Sequence, residues 1–145
     1  MKARIKQRIF IDLDGVCADF NRALAETGME PDEFRFAPGA YLNLHPIPGA
    51  IDAVNKLVAT GNYEIFFATK PPTGVPDAYA DKVRWVMKHF YDLRKRIIIT
   101  PDKGLLGSEN DILIDDRPHT ANCLEFPGKF IFFTDWEKTL QQIGI

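Results

Sequence analysis

Cysteine is scarce: among 145 residues only Cys17 and Cys123 carry a thiol. Two thiols cannot build a disulfide framework, and they stand at neither metal-ligand nor redox-motif spacing, so they read as small buried hydrophobes in a reducing compartment. Histidine is also sparse. His45, His89 and His119 lie on different segments with no shared carboxylate spacing, and they read as ordinary surface or supporting residues. An excess of charge is missing too: 18 Lys and Arg stand against 20 Asp and Glu, a net charge of −2. A chain that grips nucleic acid by charge alone should be basic, so non-specific polyanion binding is disfavoured. Long apolar runs are absent, and nothing approaches the ~18 residues of a membrane span. The basic N-terminus, Met1 to Arg8, is followed by an apolar run that stops after three residues at Asp12, so it lacks the core of a signal peptide. Repeats and low-complexity tracts are lacking as well.

What is there is ordinary for a globular protein: 46% hydrophobic and 26% charged residues. The length suits one domain spanning residues 1–145. The expectation is a soluble, cytoplasmic chain.

Five short apolar runs recur: Ile9–Ile11, Tyr63–Ala68, Arg96–Thr100, Ile112–Ile114 and Phe130–Phe133. Each is nearly continuous rather than alternating, as expected of parallel strands covered by helices on both faces. Helical spacing separates most of them. Ile51, Val54, Leu57 and Val58 form one stripe, closed by Gly61. Tyr79, Val83, Val86 and Phe90 form a second, on a helix starting after Pro76-Asp77. Trp136, Leu140 and Ile143 form a third. A further helix runs from about Cys17 to Gly28, and a short one is expected around Thr120–Leu124. Trp85 and Trp136, both on predicted helices, read as partly buried anchors. The fold class is therefore α/β, a doubly wound, parallel five-stranded sheet. Residues 21–44 break the rhythm with Gly28, Pro31, Pro38 and Gly39 among Phe34, Phe36 and Tyr41, and read as a small cap insertion after the first strand. Those aromatics are read chiefly as packing that holds the insertion shut, with stacking on a ligand as the alternative.

In an open α/β sheet, ligands bind outside the carboxyl ends of the strands. Four of those ends carry suggestive groups: Asp12 and Asp14, Thr69 and Lys70, Lys103, and Asp115 and Asp116. Each has an ordinary reading as a turn, a strand end, a solvated lysine or a helix cap. Four at one sheet edge make coincidence the weaker reading. Crowded carboxylates repel unless a cation sits among them, and an oxygen-only donor set selects a hard ion, which at a phosphate site means Mg²⁺. A carboxylate nucleophile can form an aspartyl-phosphate, for which a lysine and a hydroxyl supply positioning and charge neutralisation.

Phe10-Ile11-Asp12-Leu13-Asp14-Gly15-Val16 resembles the first motif of the haloacid dehalogenase-like phosphohydrolases. Thr69 resembles their second motif, Lys103 their third, and Ile114-Asp115-Asp116 their fourth. The order and strand placement match over nearly the whole chain. Closer similarity points to the 5'(3')-deoxyribonucleotidase branch, through Asp12–Phe20, Leu44–Ala50, Asp81–Phe90, Thr100–Lys103 and Leu113–Pro118. The resemblance implies a Rossmannoid fold and Mg²⁺-dependent phosphomonoester hydrolysis through an aspartyl-phosphate on Asp12. Asp14 would protonate the leaving alcohol and then activate water. The Asp12 and Asp116 carboxylates and the Asp14 backbone carbonyl would hold Mg²⁺. Thr69 and Lys103 would hold the phosphate, with Asp115 steadying Lys103 and Phe20 lining the substrate pocket. The implied partner is a small phosphorylated substrate, a nucleotide, with no membrane and no stable nucleic-acid complex. Three differences stand out: the insertion is shorter than the branch's cap, Lys70 replaces a small hydroxyl residue and could either add a phosphate contact or point at solvent, and the loop from Lys103 to Asp115 is slightly longer. The residues leave open a phosphatase of another small ester or of a polynucleotide end and, in a different class, a receiver-like phosphorylation switch.

Overall fold

A computed structural model describes residues 6–145; the first five residues of the basic N-terminal stretch lie outside the described residues. The five apolar runs form β1 (Gln7–Ile11), β2 (Tyr63–Thr69), β3 (Ile97–Ile99), β4 (Ile112–Asp115) and β5 (Lys129–Phe132). They make one sheet in the order β3-β2-β1-β4-β5, parallel throughout. The central strand β1 pairs with β2 and β4, placing Ile11 between Phe67 and Ile114. The described residues also form five α-helices: α1 (Phe20–Thr27), α2 (Pro31–Arg35), α3 (Ala50–Ala59), α4 (Pro76–His89) and α5 (Trp136–Ile143).

The two faces of the sheet are covered differently. One carries Ile9, Ile11, Phe67 and Ile114, packed in a single cluster with Val54 and Leu57 of α3, Trp85 and Val86 of α4, and Trp136 of α5. Each such side chain, when fully buried, stabilises by about 1.5–3 kcal/mol. The other carries Phe10, Ala68 and Leu113, packed on Leu106, Cys123 and Phe126. These belong to or flank the 3₁₀ turns Lys103–Leu105 and Cys123–Glu125. The doubly wound parallel sheet is as expected, its second face covered by short 3₁₀ segments rather than by α-helices. Pro101, Gly104, Gly107, Pro118 and Gly128 punctuate these two connections, and such residues break helices. The helix expected at Thr120–Leu124 shrinks to Cys123–Glu125, because Ala121 and Asn122 adopt positive φ. Both cysteines are buried and free.

Two further details depart from the sequence reading. On α4 the buried face is Ala78, Asp81, Lys82, Trp85 and Val86, whereas Tyr79 is exposed. The helix is where it was expected, but its inward face is rotated so that the large indole of Trp85 enters the core. Likewise Val58 of α3 is exposed, and Ala50 and Ala53 pack inward with Val54 and Leu57. The helix expected from Cys17 begins at Phe20, after the Asp19 side chain accepts a hydrogen bond from the Arg22 amide. Residues 13–18 instead form a tight loop in which the Leu13 carbonyl accepts from the amides of Val16, Cys17 and Ala18. Residues 20–44, comprising α1, α2 and the turns after them, sit beside the carboxyl end of the sheet. There Phe34 and Tyr41 are buried and Phe36 is exposed. Among the described residues no helix is long and apolar enough to cross a membrane.

Candidate active site

The parallel register brings the strand ends together. Asp12 follows β1, and its amide donates to the Ile114 carbonyl at 3.0 Å, which sets it beside Asp115 at the end of β4. Thr69 ends β2, Lys103 opens the 3₁₀ turn after β3, and Asp116 follows β4. The Lys103 ammonium, 3% exposed, donates to Asp12 Oδ1 at 2.8 Å and Asp115 Oδ2 at 2.6 Å. Asp115 is otherwise engaged by the Arg117 amide at 2.9 Å on Oδ1 and by the Cys123 thiol, a weak donor 3.5 Å from Oδ2.

Carboxylate oxygens of Asp12, Asp115 and Asp116 lie within 4.8 Å of one another. Burial pushes the Asp12 carboxyl up to about 8; Lys103 pulls it down, while Asp115 and Asp14 add to the rise. Burial, with Asp115, also raises Asp116. Asp116 Oδ1 and Thr69 Oγ1 are buried with no hydrogen-bond partner among the described residues. An unpartnered carboxylate oxygen in a crowded all-oxygen donor set fits a hard divalent cation, and the buried Thr69 hydroxyl fits an anion's oxygen.

Asp12, Asp14, Lys103, Asp115 and Asp116 floor a cavity of about 430 Å³. Its walls include Phe20, Leu24 and Tyr41 from α1 and the insertion, and Lys70, Pro71 and Pro72 after β2. The Phe20 ring stacks on Tyr41 at 5.9 Å and meets Phe34 edge-on at 5.1 Å. Lys70 is exposed on this wall and makes no side-chain ion pair within 4 Å among the described residues. So seven of the eight residues singled out in the sequence line the cavity, with Asp12, Asp115, Asp116 and Lys103 in one cluster, while Thr69 is buried at the end of β2 and is not part of its lining. The Asp14 carboxylate stands apart from that cluster and accepts from Lys82 of α4. Lys82 is the residue that sequence reasoning missed. Its signal was spacing: it lies three positions before Trp85 and four after Ala78, on the stripe that α4 buries.

Gly15 links Asp14 to this floor. It has φ +86°, and a Cβ there would land on the Asp116 carboxylate. Gly15→Ala should therefore displace Asp116, lowering kcat by about tenfold to a hundredfold, the usual effect of misplacing a group at a metal site. If Asp116 helps to hold a divalent cation, steady-state kinetics with Mg²⁺ titration will read this as a raised Mg²⁺ requirement; an unchanged requirement would count against that role.

The chain matches the family model described as 5' nucleotidase, deoxy (pyrimidine), cytosolic type C protein over residues 32–139. It is 30% identical over 161 aligned positions to the human cytosolic-type 5'(3')-deoxyribonucleotidase, covering 88% of this chain and 79% of that protein. It is 27% identical over 161 positions to the human mitochondrial 5'(3')-deoxyribonucleotidase, covering 88% and 70%. Among solved structures, a Bacillus subtilis protein described as a HAD-hydrolase, crystallised with bound magnesium, superposes with a TM-score of 0.59 at 14% identity. That match covers 98% of this chain and all of the other, and it gives the fold.

Proposed function

The chain belongs to the 5' nucleotidase, deoxy (pyrimidine), cytosolic type C family of phosphomonoester hydrolases, and from that premise we propose that it hydrolyses deoxynucleoside monophosphates by way of an aspartyl-phosphate on Asp12. The observation that carries the reading is Asp12 itself. It is a buried carboxylate at the end of the central strand, held by Lys103 and facing a cavity, with beside it a second carboxylate, one oxygen of which has no partner among the described residues.

Substrate phosphate enters between Thr69, whose buried hydroxyl has no partner among the described residues, and Lys103, which lines the cavity. An Asp12 carboxylate oxygen attacks phosphorus, the ester P–O bond breaks, and Asp14 gives its proton to the departing alkoxide. Asp14 then takes a proton from water, whose oxygen attacks the phosphoryl group. The P–O bond to Asp12 breaks, and inorganic phosphate leaves with Asp12 restored. The carboxylates of Asp12 and Asp116 and the Asp14 carbonyl are the groups that would hold Mg²⁺. Bound there, the ion supplies neutralisation of the negative charge gathered around phosphorus. Asp115 orients Lys103, and Lys70 on the wall is placed to meet an outer phosphate oxygen. Phe20 and Tyr41 offer an aromatic wall to a nucleoside. Free buried thiols and a near-neutral charge support a cytoplasmic setting and a small nucleotide over a polynucleotide.

The test is a panel of deoxynucleotides, ribonucleotides and sugar phosphates, assayed for phosphate release with Mg²⁺ and with EDTA. Deoxynucleoside monophosphates should lead by about tenfold or more in kcat/KM, an energy of about 1.4 kcal/mol, and EDTA should abolish release. Equal rates across the panel would reject the nucleotide assignment. No release from any ester would reject the reaction.

A further inference from the structure

Lys82 is 1% exposed, yet it carries an ammonium into the interior. Replacing such a group with a well-packed apolar one is often neutral or stabilising, so core filling does not account for a lysine here. Its ammonium has two described partners. One is Asp14 Oδ2; the other is the Tyr41 ring, whose centroid lies 4.3 Å away, in the range of a favourable cation–π contact. Lys82 is the described donor to the Asp14 carboxylate, which is otherwise partly open, with 26% of the side chain exposed on the cavity. The orientation of Asp14 is thus set by α4 rather than by the loop that bears it.

The same face of α4 also holds the insertion. One turn on from Lys82, the Trp85 indole donates to the Leu44 carbonyl at 2.8 Å. Tyr41 in turn stacks on Phe20, which meets Phe34. A single buried ammonium therefore touches both the candidate acid/base and the aromatic wall over it.

We propose that Lys82 is a positioning residue that couples the seating of the 20–44 segment to the aim of the Asp14 carboxylate. With the Tyr41 ring seated on the ammonium, Asp14 is held toward the leaving oxygen. Without the ammonium, both are released together. This rests on the reading of Asp14 as acid/base.

The experiment compares Lys82→Met and Asp14→Asn on two esters at saturating Mg²⁺: n-propyl phosphate, whose alkoxide must be protonated, and p-nitrophenyl phosphate, whose leaving group needs no proton. Because kcat/KM reports steps through the first P–O cleavage, it isolates the acid role. Lys82→Met should lower kcat/KM about a hundredfold for the alkyl ester, within the range of general acid catalysis, and no more than about threefold for the aryl ester. Asp14→Asn should show the same asymmetry. If Asp14→Asn reduces both esters equally, the acid/base reading fails. If Asp14→Asn is asymmetric and Lys82→Met reduces both esters equally or neither, the coupling fails. Lys82→Gln keeps a donor without the charge and should recover part of the alkyl-ester rate, and it carries the test should the Met variant fold poorly. Failure of both variants to fold would assign Lys82 to stability alone and overturn the proposal.

Discussion

Asp12→Asn should abolish turnover, lowering kcat by about 10⁴-fold or more, as loss of a nucleophile does elsewhere, while the melting temperature stays level or rises by a few degrees. The two halves of the prediction have separate causes. An amide cannot attack phosphorus or leave it again, so the covalent route closes. For stability, the sign follows from the raised Asp12 carboxyl, pushed up to about 8 chiefly by burial. A carboxyl whose folded value lies above its unfolded one stabilises fully only below the unfolded value, and that contribution is lost as pH rises through the folded value. Near pH 7 folding must therefore either protonate this carboxyl or bury its charge, and the neutral amide avoids that cost while still accepting from Lys103. Phosphate release together with a melting curve checks both halves. Turnover within tenfold of the parent would sink the nucleophile assignment.

Lys103→Met should act in the opposite sense on stability. Asp12 and Asp115 would lose the ammonium that bonds both, at 2.8 and 2.6 Å, leaving buried charge without its partner. Breaking a buried pair from one side costs about 3–5 kcal/mol. Lys103 is the group that pulls the Asp12 carboxyl down, so its removal lifts that carboxyl further. Asp116 is raised as well, by burial and by Asp115. The variant should therefore be most stable near pH 4 and lose stability as pH climbs toward 8, more steeply than the parent. Mg²⁺ should restore more melting temperature to the variant than to the parent, because the ion meets uncompensated carboxylates. Melting curves from pH 4.5 to 8.5, with Mg²⁺ and with EDTA, give both readings. A profile parallel to the parent's would mean that the three carboxylates do not share one electrostatic site.

Much of the fold was legible in the residues. Continuous β-branched and aromatic runs identified all five strands, because a parallel sheet needs apolar residues on both faces of every strand. What the runs could not say is how each face is covered. The second face receives 3₁₀ turns because Pro and Gly interrupt the two late connections, and Ala121 and Asn122 take backbone angles that no helix extends through. The start of α1 moved to Phe20 because the Leu13 carbonyl gathers three amides into a loop, a local closure invisible to periodicity.

The candidate site was legible for a different reason. Its groups stand at strand ends, where an open α/β sheet presents them, so locating the strands located Asp12, Thr69, Lys103 and Asp116. Lys82 was not legible, because apolar patterning turns Tyr79 and Val83 inward and leaves a lysine outside. A charged residue on the buried stripe breaks the local rule, and such breaks are expected where a structure serves chemistry rather than stability.

The central strand also constrains how the molecule is made. β1 is synthesised first, but its neighbour β4 arrives late: Arg8 meets Asp111 across 103 positions of chain. Until β4 is available, the nascent polypeptide holds β1 with an open edge and half a catalytic constellation. Non-local closure of this kind is slow to form, and meanwhile it leaves sticky edges uncovered. The acidic pair at the end of β4 therefore meets Asp12 only once β4 has docked on β1 across that long separation in sequence.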